Sequence, residues 1–256
     1  MVNIEPYLIT SEYVREALDH LISTSAVAST LPLEYLHLID LHLLTADFTF
    51  FQNPRKFALN DFLISSIRSQ YLKQRAFSGF GSFDAGVALS EAVNIILQDA
   101  TTSNVDLIGW SWLYFHYVEI NLRITLQQFC QMVNLDERTI RRYQHNTIDQ
   151  LAKHLITLEQ NAREVRRRQI LYLQLPHQGT VFNLIDRQNE FEMVQRSRLK
   201  HYCIVGAAGI GKTVFVEQVL KDKIDKNELD HIVWFHSPTS IYYIKSYFIQ
   251  GSNVSI

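Results

Sequence analysis

With 256 residues, 47% of them apolar and 20% charged, the chain has the composition of one or two globular domains; a disordered or collagen-like protein is excluded. The net charge of −2 is uneven: residues 1–120 carry −7, 121–170 carry +4 and 171–256 carry +1, a basic middle that suits an anionic partner. The two cysteines, Cys130 and Cys203, lie in apolar segments and form no disulfide framework. Met1 to Pro6 lacks the basic-then-apolar order of a signal peptide, and no apolar run nears roughly 18 residues. A soluble, cytoplasmic protein with no membrane partner is expected.

The first 160 residues read as helices. Ser11 to Ile22 places Val14, Leu18, Leu21 and Ile22 at amphipathic spacing, with Ser11 as N-cap. Leu33 to Leu44, Asn60 to Leu72 and Val87 to Leu97 follow the same pattern, and Gly79 to Phe83 reads as a loop. Asp106 to Leu122 concentrates Trp110, Trp112, Leu113, Phe115 and Tyr117, the aromatic area of a helical core.

Leu126 to Gln144 fits a helix-turn-helix. With Asn134 as the left-handed turn residue, Phe129, Val133, Leu135, Ile140 and Tyr143 fall on inner positions and Cys130 supplies the small residue at the crossing. Thr125 caps the first helix and Asp136 the second. The second helix then presents Arg138, Arg141, Arg142 and His145 outward. Arginines there suit phosphate contacts and bidentate readout of guanine, so DNA is an expected partner. The competing reading is a helical hairpin whose arginines are solvated, and Arg163, Arg166, Arg167 and Arg168 extend the basic stretch as a wet helix face.

Pro176 to Gly179 breaks the helical pattern. It divides a helical domain over 1–175, with the helix-turn-helix at about 125–145, from a second domain over 176–256. There the pattern becomes strand, loop, helix, strand: His201 to Val205 and Asp230 to His236 are candidate buried strands around a helix from Val214 to Leu220. This predicts the start of an α/β P-loop domain with a parallel sheet, following a mainly α domain. Between the first strand and the helix lies Gly206-Ala207-Ala208-Gly209-Ile210-Gly211-Lys212-Thr213, which fits G-x-x-x-x-G-K-[ST]. Its backbone N–H groups, up to Val214 in the first helical turn, are expected to form a nest for nucleotide phosphates at the positive end of the helix dipole. Lys212 should reach the β- and γ-phosphates and Thr213 should help hold Mg²⁺, making ATP or ADP with Mg²⁺ the expected cofactor.

Phosphoryl transfer also needs a second acid on a later strand. Past Lys212 the acids are Glu217, Asp222, Asp225, Glu228 and Asp230, and none ends a run of four apolar residues. The chain therefore reads as the N-terminal part of a longer ATPase, with no catalytic residue assigned. Residues 180–238 resemble the STAND class of P-loop ATPases, near the NB-ARC and NACHT groups. Leu184 to Phe191 is similar to that class's GRxxE segment, with Asp186 in place of the Gly, and Ile204 to Thr213 and Val233-Trp234-Phe235 are similar as well. The helical region with its helix-turn-helix is similar to what some bacterial STAND ATPases carry ahead of the NTPase. The resemblance implies that Ile185 and Arg187 contact the base, and that the protein is a regulatory switch, closed with ADP, opened by ATP and in some members self-associating. Two alternatives stand beside it: another P-loop ATPase, of AAA+ or kinase type, with the helical region as scaffold, or a protein-interaction module with a silent loop.

Other chemistries are weaker. His37 and Asp40 lie one turn apart while His42 points off that face, which reads as two polar residues on a helix surface and not a metal site. Cys203 sits within an apolar strand pattern, and no Ser/His/Asp grouping forms a nucleophile elbow.

Overall fold

A computed structural model describes residues 9–22, 30–45, 51–102, 104–176, 186–197 and 202–234. The chain divides into two compact units, residues 1–163 and 164–256. The division falls inside a long helix, ahead of the 175/176 boundary read from Pro176.

The first unit is helical. Helix α1 spans Ser11–Ile22, α2 His37–Thr45 after a 3₁₀ turn over Pro32–Tyr35, α3 Pro54–Phe77 and α4 Leu89–Thr101. Asn53 caps α3 by accepting from Lys56 N at 3.2 Å, with Pro54 in the first turn, and α3 ends where Gly79 takes φ 83°. Helix α5 covers Val105–Leu113, capped by Asn104, and continues into one π-helical turn over Tyr114–Val118 closed by Glu119 N donating to Tyr114 O at 3.1 Å. Helix α3 packs against α2, α5 and this π turn. The core runs from Ile9 to Ala162 and includes Leu63, Ile67, Tyr71, Trp110, Leu113, Phe115 and Leu155.

Two polar groups are fixed inside that core. Arg75 pairs with Asp99, which also accepts from the Tyr71 hydroxyl, and the guanidinium lies under Phe80 and Phe83 at 5.1 and 5.4 Å from their ring centres. Glu159, fully buried on the helix after the turn, accepts from Leu38 N at 3.0 Å at the start of α2 and from Arg163 Nε at 2.7 Å. Gly109 permits a close crossing. A Cβ there would sit 2.1 Å from Thr147 Oγ1 and 3.3 Å from the Tyr143 carbonyl.

Helices α6, Leu126–Val133, and α7, Glu137–Leu173, complete the first unit; residues 164–173 of α7 belong to the second. The second unit also contains α8, Gln188–Arg196, packed beside α9, Lys212–Asp225. Its core gathers Leu171, Leu175, Ile224 and Ile232, with Tyr172, Leu220 and Leu229 against them. Arg167 bonds the Leu229 carbonyl and Asp230, and Tyr172 donates to Asp225 at 2.7 Å.

The expected parallel sheet is overturned. Among the described residues there is no strand: 202–205 and 231–234 run without strand structure, while His201, Phe235 and His236 lie outside the described residues. A strand exists only as a ladder with a neighbour that takes up its N–H and C=O groups. These two segments form no such ladder, and Val205, expected to be buried between layers, is 84% exposed. The regular secondary structure of the second unit is therefore helical alone among the described residues.

Candidate functional site

The glycine-rich loop runs from Gly206 into the first turn of α9. Gly209 and Gly211 adopt φ of 80° and 86°, the left-handed region that a Cβ disfavours, and Gly211 is the residue from which α9 starts. A Cβ on Gly206 would meet Ile210 Cγ2 at 3.3 Å. The first intrahelical bond of α9 is Phe215 N to Gly211 O at 2.9 Å. The N–H groups of Lys212, Thr213 and Val214 therefore have no acceptor within the helix, and Gly211 brings no side chain to cap them.

Lys212 folds back over the loop. Its Nζ donates to Gly206 O at 2.9 Å and to Ala207 O at 2.7 Å, which closes the loop around the start of the helix. Ala207, Ala208, Ile210 and Thr213 are exposed on this rim. The loop thus assembles helix N–H donors, an ammonium and a hydroxyl within eight residues, the donor set an oxyanion requires.

Arg187, immediately before α8, is brought to the same loop and donates from Nη2 to Ile210 O at 3.0 Å. Its guanidinium thus touches the backbone of the glycine-rich loop, a contact that the expected base-binding role did not include. Asp186 takes φ 57°, so it occupies with a tolerated but disfavoured residue the conformation that a glycine adopts freely. Ile185, the other expected base contact, lies outside the described residues.

The expected helix-turn-helix falls on α6 and α7, whose facing ends are set by caps. Thr125 accepts from Gln128 N at 3.3 Å while Gln128 Oε1 accepts from Thr125 N at 2.9 Å, a reciprocal capping box. Asn134 ends α6 at φ 54°, ψ 46°, and Asp136 accepts from Thr139 N at 2.9 Å to start α7. Phe129, Cys130, Val133 and Ile140 are buried, with α6 packed on α4 and the Phe129 ring centre 5.1 Å from that of Trp112. Burial, then the nearby Glu137 and Asp136, push the Cys130 thiol up from its ordinary range, which suits an inert packing residue. The second helix is not short: α7 continues for 37 residues, about 55 Å at 1.5 Å per residue.

Arg138, Arg141, Arg142 and His145 are all exposed on α7. Arg141 reaches Glu137 at 3.7 Å and Arg142 lies 5.6 Å from the Tyr143 ring centre. His145 does not point free into solvent. Its Nδ1 accepts from Arg15 Nη2 of α1 at 3.0 Å, and its Nε2 lies 3.8 Å from Asp149. Sequence reasoning missed Arg15 because α1 and α7 are joined only by folding, 130 residues apart in the chain.

His37 and Asp40 approach to 3.8 Å and His42 pairs with Asp61 at 2.8 Å; among the described residues no group of three ligating side chains converges on a metal-sized space. No helix among the described residues is long and apolar enough to cross a membrane. Comparison with family models, with curated proteins and with solved structures gives no match.

Proposed function

We propose that the chain is a nucleotide-binding regulatory protein that takes ATP or ADP with Mg²⁺ on residues 206–214 and contacts duplex DNA through the helix-turn-helix. One observation carries the nucleotide half: Lys212 closes a left-handed glycine loop directly onto a helix start whose first N–H groups have no acceptor within the helix. Such an arrangement accommodates an anion with both hydrogen bonds and charge. The exposed Arg138, Arg141 and Arg142 on a capped two-helix turn support the DNA half. A switch between ADP and ATP states follows from the resemblance to STAND ATPases; the sheet that class contains is not part of the proposal.

The test is ligand-dependent stability. A nucleotide present at 100 times its dissociation constant adds about 2.7 kcal/mol to the fold. ATP or ADP with Mg²⁺ should therefore raise the melting temperature, and Lys212→Ala should abolish the rise. No rise in the wild-type chain at millimolar nucleotide rejects the nucleotide reading.

One observation favours the alternative in which the helical region is a protein-interaction scaffold: His145, expected on the DNA face, is tied to α1. Retention of duplex DNA that falls steeply with salt, and that Arg141→Ala with Arg142→Ala diminishes, separates the two. A scaffold would retain none.

A further inference from the structure

Side chains of helix α1 reach side chains of α7. Ser11 bonds Asp149, Arg15 bonds His145 at 3.0 Å, and Asp19 accepts from Tyr117, whose hydroxyl also accepts from Gln144 at 3.1 Å. Ser11, Arg15 and Asp19 are spaced by four residues, so one edge of α1 makes all three contacts. The buried face of the same helix, Val14, Ala17 and Leu18, fixes α1 against the core. Arg15 is therefore held beside the recognition helix by packing below and by hydrogen bonds along its edge.

An arginine has five N–H donors, and the described hydrogen bonds of Arg15 use one of them. The Nδ1 of His145 accepts that bond and so orients the guanidinium. The rest of Arg15 is exposed, on the side of α7 that carries Arg138, Arg142 and His145. Glu12 and Glu16, also exposed, lie further round α1 and place negative charge beyond this edge.

We propose that the DNA-contact surface extends past the helix-turn-helix onto α1, with Arg15 donating to a backbone phosphate and His145 acting as its positioning residue. The inference rests on the DNA reading above. It changes the role of His145 from a DNA contact to a support, and it sets the edge of the footprint at Glu12 and Glu16.

The salt dependence of binding to a fluorescein-labelled mixed-sequence duplex tests it. Each phosphate contact contributes about 0.9 to the slope of log K against log salt. Arg15→Gln should lower the slope by about that amount, as Arg142→Gln does. His145→Ala should lower it similarly, whereas His145→Gln, whose side-chain carbonyl still accepts a hydrogen bond, should keep most of it. Glu12→Gln with Glu16→Gln should tighten binding by a few fold at low salt. If Arg15→Gln keeps the wild-type slope while Arg142→Gln loses one contact, the α1 inference is wrong and the DNA reading stands. If the wild-type chain retains no duplex at low salt, both are wrong.

Discussion

Residues 9–162 bury a continuous core in which aromatic, aliphatic and even ionic groups are enclosed, whereas the residues described from 164 onward gather only four fully buried apolar side chains into their cluster. Helices α6 and α7 meet on the first kind of foundation, and the glycine loop sits on the second. In the first unit, geometry is imposed by packing: Phe129, Cys130 and Ile140 are all enclosed in the core. In the second, it is imposed locally, by left-handed glycines and by Lys212 holding two carbonyls of its own loop. A bound phosphate would therefore add a larger share of the stability of the second unit than a DNA contact would add to the first.

The largest way to break this contrast is inside the first unit. Asp99→Leu leaves the Arg75 guanidinium buried without its carboxylate and should cost about 3–5 kcal/mol. In hydrogen exchange, amides of α3 and α5 should lose protection together while those of α9 stay as they were. Loss of protection across α9 by the same amount would show that the two cores are one cooperative unit.

A smaller effect is expected at the helix crossing. Gly109→Ala drives a methyl group into Thr147 Oγ1 and should cost about 1–3 kcal/mol in urea denaturation. Thr147→Ala in the same chain removes the nearest obstacle and should recover most of the loss. Failure to recover it would locate the strain at the Tyr143 carbonyl instead.

The smallest expected effect is that of pH. Burial lowers the pKa of His116, stacked 4.4 Å from Trp112, and of His154, which burial and then Lys73 hold down. Both rings fold more readily when neutral, so their contribution is complete above the ordinary histidine range and declines as pH falls through about 6.5. Thermal melts should show this decline in the first unit, and His116→Gln should flatten part of it.

The features legible in the sequence were those encoded within three or four residues. Thr125 with Gln128, Asn134, and Asp136 with Thr139 are local bonds whose partners sit in the same short segment. The glycine loop is legible for the same reason. The strands expected over 201–205 and 230–236 do not form where those residues are described, because apolar, β-branched composition states only a preference, and a ladder depends on a neighbour that composition does not name. The length of α7 was hidden by a template with a short second helix, although no Gly or Pro interrupts 137–173. Arg15 beside His145, and Arg187 beside Ile210, required three dimensions to find.

The π turn after α5 fixes an angle. A π turn holds one residue more than the α-helical turn it replaces, and Tyr114–Val118 contains that extra residue. Deleting it would rotate everything downstream by about 100° and swing Tyr117 away from Asp19. The surplus residue thus sets the angular phase at which α5 hands the chain on to the helix-turn-helix.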